Sequence, residues 1–312
     1  RVIMNQNMTR RKFLQVATVA GLGLPFVGCA TQTTAGKVTV EELIESVVVQ
    51  LYTVRGPLSN NPRETLKGIA DIGYSTIETA GIDILNNHGS YIKDLGLTPV
   101  SAHFNFMYVT GNAENPGITA NSSTEGYDQV IRTASDWDMK YVVLPYLPAE
   151  MRGGIDDYKK LSEQMNYAAE IASDAGLKFC YHNHSFEFEP MEGSTPMETI
   201  FRNTDPDLVG IEADLFWIGI GGIDPIQFMK DYAGRITLVH LKDKAADAPQ
   251  SYSGAPSEAF KEVGNGVFNF TEILATAAST GVEHGFVEQD QTPGDPLASI
   301  RKSYNYLQSL KA

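Results

Sequence analysis

From residue 46 onwards the chain alternates between short apolar runs and longer amphipathic stretches. Continuous apolar runs of this length are typical of strands that are buried on both faces, as in parallel sheets. The stretches between them have the apolar spacing of surface helices, and the one over residues 62–73 begins at Pro62 and ends at Gly73. The pattern therefore predicts repeated strand–helix units.

Eight such units fit into residues 46–312, a length close to the roughly 250 residues of a (β/α)8 barrel. An open doubly wound sheet is the alternative, but no glycine-rich fingerprint follows the first strand. The predicted strands are residues 46–54, 75–80, 98–104, 141–147, 178–184, 209–216, 236–243 and 285–290. The predicted helices are residues 62–73, a stretch ending at 96, and 125–139, 156–176, 196–203, 224–233, 269–281 and 295–310. We therefore expect a single-domain α/β protein, a (β/α)8 TIM barrel.

Two long segments without a clear element of their own follow predicted strands, at residues 105–122 and 244–265. Segments that follow strands lie at the carboxyl end of such a barrel, where active sites are found. We therefore expect both segments to overhang the mouth and to cover a substrate.

The segment before the barrel has the pattern of an export signal. Arg10 and Arg11 precede an apolar stretch, residues 16–27, that is too short for a membrane span. The paired arginines resemble a twin-arginine signal, and the run that ends at Cys29 resembles a lipoprotein cleavage box. The prediction is an export signal over residues 1–29, a flexible tether over 30–45 and the barrel over 46–312. We expect a periplasmic protein that is anchored to a membrane by a lipid on Cys29; an uncleaved amphipathic tail is the alternative.

The composition is that of an ordinary globular protein, with 42% hydrophobic and 20% charged residues. The formal net charge is −14. A nucleic-acid-binding protein needs a cationic surface to displace counterions, so the charge argues against a nucleic-acid partner. It argues more weakly against a phosphorylated substrate.

Four predicted strands end in side chains that are able to bind a metal ion: His182, Asp214, His240 and Glu288. A polar group at the end of a buried strand costs free energy unless a partner compensates it. Because the carboxyl ends of barrel strands meet at one mouth, the four residues predict one shared divalent metal site. Two imidazole ligands favour manganese, zinc, cobalt or iron over magnesium.

Other polar or aromatic residues near the same strand ends are candidates for contact with a substrate. Glu78 and His103 end the second and third strands, and His184 shares the face of His182 by strand alternation. Lys242 follows His240 on the same face and is a candidate for stabilising a negative oxygen. Trp217 could form an apolar wall against a sugar. A structural role is the alternative for each.

Several runs around these residues resemble one family, the sugar isomerase/epimerase group with the xylose-isomerase-like barrel. The runs are YHNHSFEF (181–188), EADLFW (212–217), GIDP (222–225), HLKD (240–243) and VEQD (287–290). The resemblance implies one divalent metal ion held at the strand ends by Glu, Asp, His and Glu. Asp214, His240 and Glu288 match this pattern, whereas His182 stands where many members have glutamate.

The histidine at this position bears on the reaction. In the epimerases that this chain resembles, two metal-bound glutamates exchange protons on opposite faces of the substrate. His182 could bind the metal or act as the second acid or base, and Glu187 could lean in to replace the missing carboxylate. Inosose dehydratases of the superfamily also have a histidine-rich run on this strand, so elimination remains an alternative.

The resemblance and the residues together predict a metal-dependent sugar isomerase or epimerase. The metal would polarise a carbonyl and an adjacent hydroxyl, Glu288 would remove the neighbouring proton, and Lys242 would help to hold the enediolate. Loss of a β-substituent would instead make the enzyme a lyase or dehydratase. The export signal favours a free sugar, keto-sugar or glycoside. A non-catalytic sugar-binding lipoprotein and an endonuclease IV-like repair enzyme are the competing classes, and a homo-oligomer is compatible with the sequence.

Overall fold

The structure, a computed structural model, describes residues 38–111, 117–119 and 122–311. Its strands are β1 (Val48–Gln50), β2 (Thr76–Thr79), β3 (Thr98–His103), β4 (Tyr141–Leu144), β5 (Lys178–His182), β6 (Val209–Asp214), β7 (Ile236–Leu241), β8 (Asp243–Lys244), β9 (Phe260–Lys261) and β10 (His284–Val287). Strands β1–β7 and β10 are parallel and close into a barrel in the order β1-β10-β7-β6-β5-β4-β3-β2, while β8 and β9 form a small antiparallel pair. The predicted (β/α)8 TIM barrel is therefore confirmed.

Helices separate the barrel strands along the chain. Within the described ranges they are α1 (Val40–Glu45), α2 (Arg55–Asn60), α3 (Pro62–Ile72), α4 (Asp83–Asp94), α5 (Met107–Thr110), α6 (Glu125–Asp136), α7 (Ile155–Asp174), α8 (Pro196–Asn203), α9 (Leu215–Ile220), α10 (Pro225–Asp231), α11 (Phe270–Thr280) and α12 (Pro296–Ser309). Helix α3 illustrates how the sequence sets the ends: Pro62 occupies its first turn, and Gly73 ends it at φ 121°, a backbone angle that glycine adopts without strain.

Two of the apolar clusters among the described residues pack against the barrel strands. The larger one lies between the strands and the helices and includes residues from both, such as Leu66 of α3 and Val239 of β7. A smaller cluster packs separately; its members are Val48, Val100, Tyr141, Val143, Cys180, Leu238 and Phe286. Because side chains alternate along a strand, residues such as Cys180 and Leu238 point to the face opposite to that of their neighbours and fill the barrel.

The strand register brings polar residues to one level at the carboxyl end of the barrel. His182 of β5 pairs with Glu212 of β6, and Asp214 of β6 pairs with His240 of β7. On the other side of the barrel Gln50 of β1 pairs with Glu78 of β2. Polar residues that are far apart in the sequence therefore meet above the apolar cluster.

The barrel strands are shorter than the sequence predicted. The first one ends at Gln50, because residues Leu51–Val54 form a 3-10 turn. Strand β6 ends at Asp214, whose carboxylate accepts a hydrogen bond from the backbone N–H of Trp217 and so begins helix α9. The predicted continuation to residue 216 is therefore wrong, and Asp214 lies at the junction of a strand and a helix.

The prediction that the flexible tether extends to residue 45 is also wrong. Residues Val40–Glu45 form helix α1, and Leu43 and Ile44 are buried in the core. Thr39 and Glu42 form a capping box at its start, which satisfies two backbone N–H groups and stabilises this short helix.

The predicted export signal, Cys29 and the rest of the tether lie outside the described residues. Of the two long segments, the first contains α5 and the second contains β9, which pairs with β8. Within the described part of the chain, we find no helix whose length and apolar character would suffice to cross a membrane.

Candidate active site and metal centre

A cavity of about 360 Å³ opens at the carboxyl end of the barrel. The residues that line it are Tyr52, Ala80, His103, Pro145, Tyr146, His182, His184, Lys242, Glu288 and Asp290. Three imidazoles, two carboxylates and one ammonium group thus share the wall with aromatic side chains. Such a wall suits a small polar organic molecule. Neither long segment supplies a described residue to the lining, so the expected cover over the mouth is not seen there.

The four residues that the sequence assigns to a metal ion lie together beside this cavity. We call His182, Asp214, His240 and Glu288 the upper group. Their ligand atoms all lie within 4.8 Å of one another, and all four residues are buried. His182 Nε2 is 3.2 Å from Asp214 Oδ2, and His240 Nδ1 is 2.7 Å from Glu288 Oε2. The donor set of two nitrogens and two carboxylate oxygens is the one that the strand ends predicted.

Lys242 connects the upper group with the cavity wall. Its Nζ lies 2.8 Å from Asp214 Oδ2, 2.7 Å from Glu288 Oε2 and 2.5 Å from Asp290 Oδ1. Burial alone would lower the pKa of Lys242, but these three carboxylates raise it well above its ordinary value. Lys242 therefore remains an ammonium ion as long as no other cation lies beside the same carboxylates.

The imidazole of His182 is oriented by the backbone. Its Nδ1 lies 3.2 Å from the carbonyl oxygen of Pro145, which accepts hydrogen bonds only, so Nδ1 must be the donor. In the neutral ring Nε2 then presents a lone pair toward the Asp214 carboxylate. Two lone pairs that face each other repel unless a proton or a metal ion lies between them.

A second cluster lies deeper in the barrel, and we call Glu78, His103, Glu212 and His240 the lower group. Its ligand atoms also lie within 4.8 Å of one another. His103 Nε2 is 2.8 Å from Glu212 Oε2 and 3.2 Å from Glu78 Oε2. His240 Nε2 is 3.0 Å from Glu78 Oε2 and 3.2 Å from Glu212 Oε2. His240 thus belongs to both groups, with Nδ1 toward the upper one and Nε2 toward the lower one.

Neutral donors complete the surroundings of Glu78. Gln50 Nε2 donates a hydrogen bond to one carboxylate oxygen and Ser101 Oγ donates one to the other, each at a distance of 2.6 Å. Burial alone would lower the pKa of His103, but the carboxylates of Glu78 and Glu212 raise it to about 10. Without a bound cation, His103 is therefore an imidazolium ion at neutral pH.

His184 has a different environment from the other imidazoles of the wall. It packs against the rings of Tyr146, Phe186 and Trp217, with centroid distances of 5.2, 5.7 and 5.3 Å. Burial, followed by the positive charges of His182 and Lys242, lowers its pKa well below the ordinary value. His184 is therefore a neutral imidazole at the cavity wall.

Five predicted site residues line the cavity: His103, His182, His184, Lys242 and Glu288. Trp217 is not part of the lining; it is 7% exposed, and its ring packs against that of His184. Glu78 is fully buried in the lower group and does not line the cavity either. Neither residue lines the cavity in this structure, and the predicted substrate contacts of Trp217 and Glu78 stay predictions.

Glu187 is also absent from the cavity wall. Its carboxylate accepts hydrogen bonds from the Tyr181 hydroxyl at 2.7 Å and the His184 backbone N–H at 2.9 Å. Tyr181 alternates with His182 and points away from the barrel interior, so Glu187 is held on the outer side of β5. The expectation that Glu187 replaces a metal-binding carboxylate is therefore wrong. Burial raises the pKa of this carboxyl group to about 7.

Glu212 and Asp290 are two further residues of the site that the pattern of strand ends did not identify. Glu212 precedes Asp214 by two residues and so shares its face, but its contacts with His103 and His240 depend on closure of the barrel. Asp290 follows Glu288 by the same spacing and ends in contact with Lys242. Each residue lies two positions from a predicted metal ligand, and side chains two positions apart on a strand share a face. This spacing is the sequence feature that could have identified both residues.

The fold and this site define the class of protein: a single barrel domain with a polar centre at the carboxyl ends of its strands, as in barrel enzymes. Residues 66–310 match the family described as xylose isomerase-like TIM barrel. The match covers more than half of the chain, and the protein therefore belongs to this family, as the sequence resemblance predicted.

Individual relatives support this placement. Inosose dehydratase 2 from Bacillus cereus is 27% identical over 164 residues, 49% of this chain and 54% of the dehydratase. The chain thus spans about half the length of the curated relatives it matches. A sugar phosphate isomerase/epimerase from Parabacteroides distasonis ATCC 8503 has a TM-score of 0.68 at 26% identity, covering 92% of this chain and 99% of that one. The 3-keto-D-glucoside 4-epimerase YcjR from E. coli has a TM-score of 0.60 at 17% identity, covering 85% and 99%, which shows the fold alone.

Proposed function

We propose that the protein is a divalent-metal-dependent isomerase or epimerase that removes a proton next to the carbonyl of a non-phosphorylated sugar or keto-sugar. The observation that carries this proposal is the convergence of the upper group and Lys242 beside one cavity, whose wall includes His182, Lys242 and Glu288. The names of the relatives, inosose dehydratase and sugar phosphate isomerase/epimerase, agree with such chemistry.

The upper group fits a metal ion by its chemistry. Two imidazole nitrogens and two carboxylate oxygens suit manganese, zinc, cobalt or iron. His182 Nε2 lies 3.2 Å from Asp214 Oδ2, so one cation could bind both atoms. Asp214 is further fixed by the N–H of Trp217, and its own N–H donates to Asn183 Oδ1. Such supporting hydrogen bonds are typical of metal ligands.

The side chains suggest how the reaction proceeds. When bound, the ion would polarise the carbonyl and a neighbouring hydroxyl and so acidify the adjacent C–H bond. Glu288, which lines the cavity, would accept that proton as the general base. The ammonium group of Lys242 lies beside Glu288 and would stabilise the negative charge that develops on the substrate oxygen. Return of the proton to a different carbon or face would complete the isomerisation or epimerisation.

The cavity and the leader suggest the kind of substrate. A volume of about 360 Å³ has room for a small sugar. Among the described residues that line it, Lys242 is the only Lys or Arg, and it already contacts three carboxylates. A phosphate group would find little positive charge there. The export signal predicted from the sequence would favour the same kind of substrate, because phosphosugars belong mainly to the cytoplasm.

Elimination is a second candidate because of one observation. The cavity presents the imidazoles of His182, at the end of the strand that would carry the second glutamate of an epimerase, and of His184, just after that strand, rather than a second carboxylate. An imidazole could protonate a departing hydroxyl or glycosidic oxygen after Glu288 has taken the C–H proton. The product would then be an unsaturated keto-sugar.

Incubation with keto-sugars, aldoses and 3-keto-glycosides in D₂O, followed by NMR, tests the proposal. We expect metal-dependent deuterium incorporation next to the carbonyl, together with an isomer as product; an unsaturated product would assign elimination instead. Treatment with a chelator should abolish both. If no sugar exchanges a proton in the metal-loaded protein while sugars still bind after chelation, the protein is a binding module and the proposal is wrong.

A further inference from the structure

The lower group contains two carboxylates that water cannot reach. Glu78 and Glu212 are fully buried, and so is His240, while His103 is 7% exposed. A buried carboxylate is costly unless a cation compensates it. In this structure the groups that contact both carboxylates are the imidazoles of His103 and His240.

A metal ion in the upper group would draw on one of these two imidazoles. Under the proposed function, on which this inference rests, His240 binds that ion through Nδ1, while its Nε2 is directed at the lower group. The ion and Lys242 together carry three positive charges, which balance the three carboxylates around them. The two buried carboxylates of the lower group lie outside this balance and need positive charge of their own.

The geometry of the lower group fits a second metal ion. The two imidazole Nε2 atoms and the two Oε2 atoms alternate in a ring, with contacts of 2.8, 3.2, 3.0 and 3.2 Å. Four ligands at the roughly 2.0–2.1 Å that zinc prefers form a tetrahedron with edges of about 3.3 Å. The four N···O separations thus already lie close to four of the six edges that one tetrahedral ion requires, and the other two are within 4.8 Å.

One carboxylate oxygen of the lower group has no described hydrogen-bond partner, which also points to a bound ion. The other oxygen of Glu212, Oε1, is buried and has no hydrogen-bond partner among the described residues. Buried carboxylate oxygens without a partner are rare and point to an unaccounted ion or water. Glu78 differs, because Gln50 and Ser101 satisfy its two oxygens.

We propose that the lower group is a second divalent-cation site, ligated by Glu78, His103, Glu212 and Nε2 of His240. His240 then bridges the two ions as an imidazolate, and its remaining N–H proton leaves to solvent, a loss that flanking cations favour. The second ion balances the buried carboxylates and fixes the ring that the upper site uses. His103 lines the cavity and so provides the path by which the ion enters.

The test uses the full chain, stripped of metal, reloaded with Zn²⁺ and dialysed. We expect about two zinc ions per chain and two anomalous-difference peaks at the zinc edge in crystals, one in each group. A peak in the upper group alone overturns this inference and leaves the proposed function intact. A peak in the lower group alone supports the second site and overturns the metal assignment of the proposed function. The absence of both peaks overturns both.

Two variants refine the result. Glu212→Gln keeps the size of the side chain and removes its charge, so the zinc content should fall from two ions to one while the upper peak remains. Glu283→Gln is the matched control, because Glu283 is hydrogen-bonded to Tyr141 at the opposite end of the barrel; it should retain both ions. Retention of two ions in Glu212→Gln overturns the inference. If that variant does not fold, the two peaks in the unmodified protein still decide.

Discussion

Two layers of side chains fill the barrel, and the same strands supply both. The apolar layer contains Cys180 and Leu238, among others. Two residues further along the same strands, the polar layer begins with His182 and His240. The layers are in direct contact, since the rings of His240 and Phe286 are 5.6 Å apart.

The difference between the layers lies in what each side chain needs from its neighbours. Leu238 needs only neighbours of complementary shape, and loss of its volume affects the stability of the fold. Glu212 is equally buried but needs positive charge, and the protein supplies it with imidazoles from β3 and β7. The apolar layer thus supports the fold, whereas the polar layer is arranged to bind cations.

The largest effect is expected in the polar layer, from Glu288→Gln. Loss of the general base should lower the rate of deuterium exchange by roughly 10²–10⁴-fold, the usual contribution of such a group. NMR of the substrate in D₂O measures the rate. Glu283→Gln, a carboxylate change at the far end of the barrel, should leave it unchanged. An equal rate in Glu288→Gln and the unmodified protein would show that another residue removes the proton.

The matching change in the apolar layer is Leu238→Ala. Removing this fully buried side chain should destabilise the protein by about 2–5 kcal/mol, because a cavity remains where it packed. Denaturant unfolding measures the loss, and metal content measured on the same samples should not change. Loss of metal binding at unchanged stability would mean that the two layers are not separate in function.

Glu187 has a buried carboxyl group that belongs to neither layer, and its proton should make the stability of the protein depend on pH. Burial raises its pKa from 4.5 to about 7, so the folded protein holds this proton more tightly than the unfolded chain does. The stabilisation is complete below pH 4.5 and is lost as the pH rises through about 7. Relative to Glu187→Gln, the unmodified protein should lose about 3 kcal/mol of unfolding free energy between these pH values. Parallel pH profiles of the two proteins would contradict the assignment.

The smallest effect concerns stability on metal binding. An ion at a hundredfold excess over its Kd should raise the unfolding free energy by about 2.7 kcal/mol. Leu238→Ala should keep this gain, whereas Asp214→Asn should lose the part of it that the upper group supplies, since Asp214 contacts His182 and Lys242. Thermal unfolding with and without Mn²⁺ measures the gain. The same gain in Asp214→Asn would place the ion elsewhere.

The upper group could be predicted because each member ends an apolar run, and a buried polar residue at a strand end is visible in the sequence itself. The lower group could not be predicted in the same way. Glu212 shares the face of Asp214, but the nearness of His103, on a strand three places away around the barrel, follows only from closure. Glu187 was misplaced because the strand ends at His182 and Glu187 lies in a 3-10 turn, Phe186–Phe188, where its carboxylate contacts Tyr181.

The prediction of the fold had a similar limit. The apolar runs were sufficient to predict eight strands, but not to locate their ends, since side-chain capping competes with continued pairing. The carboxylate of Asp214 accepts from the N–H of Trp217, so the chain turns into helix α9 at the point where the apolar run would have extended β6. Trp217 consequently lies behind His184 and not at the cavity wall.

The central claim is that the upper group binds the ion on which proton removal depends. The most direct measurement adds Mn²⁺ stepwise to metal-stripped protein and follows deuterium exchange into a keto-sugar substrate. We expect no deuterium exchange before Mn²⁺ is added and an exchange rate that rises until the upper group is filled. Exchange that proceeds at the full rate in completely stripped protein would contradict the claim.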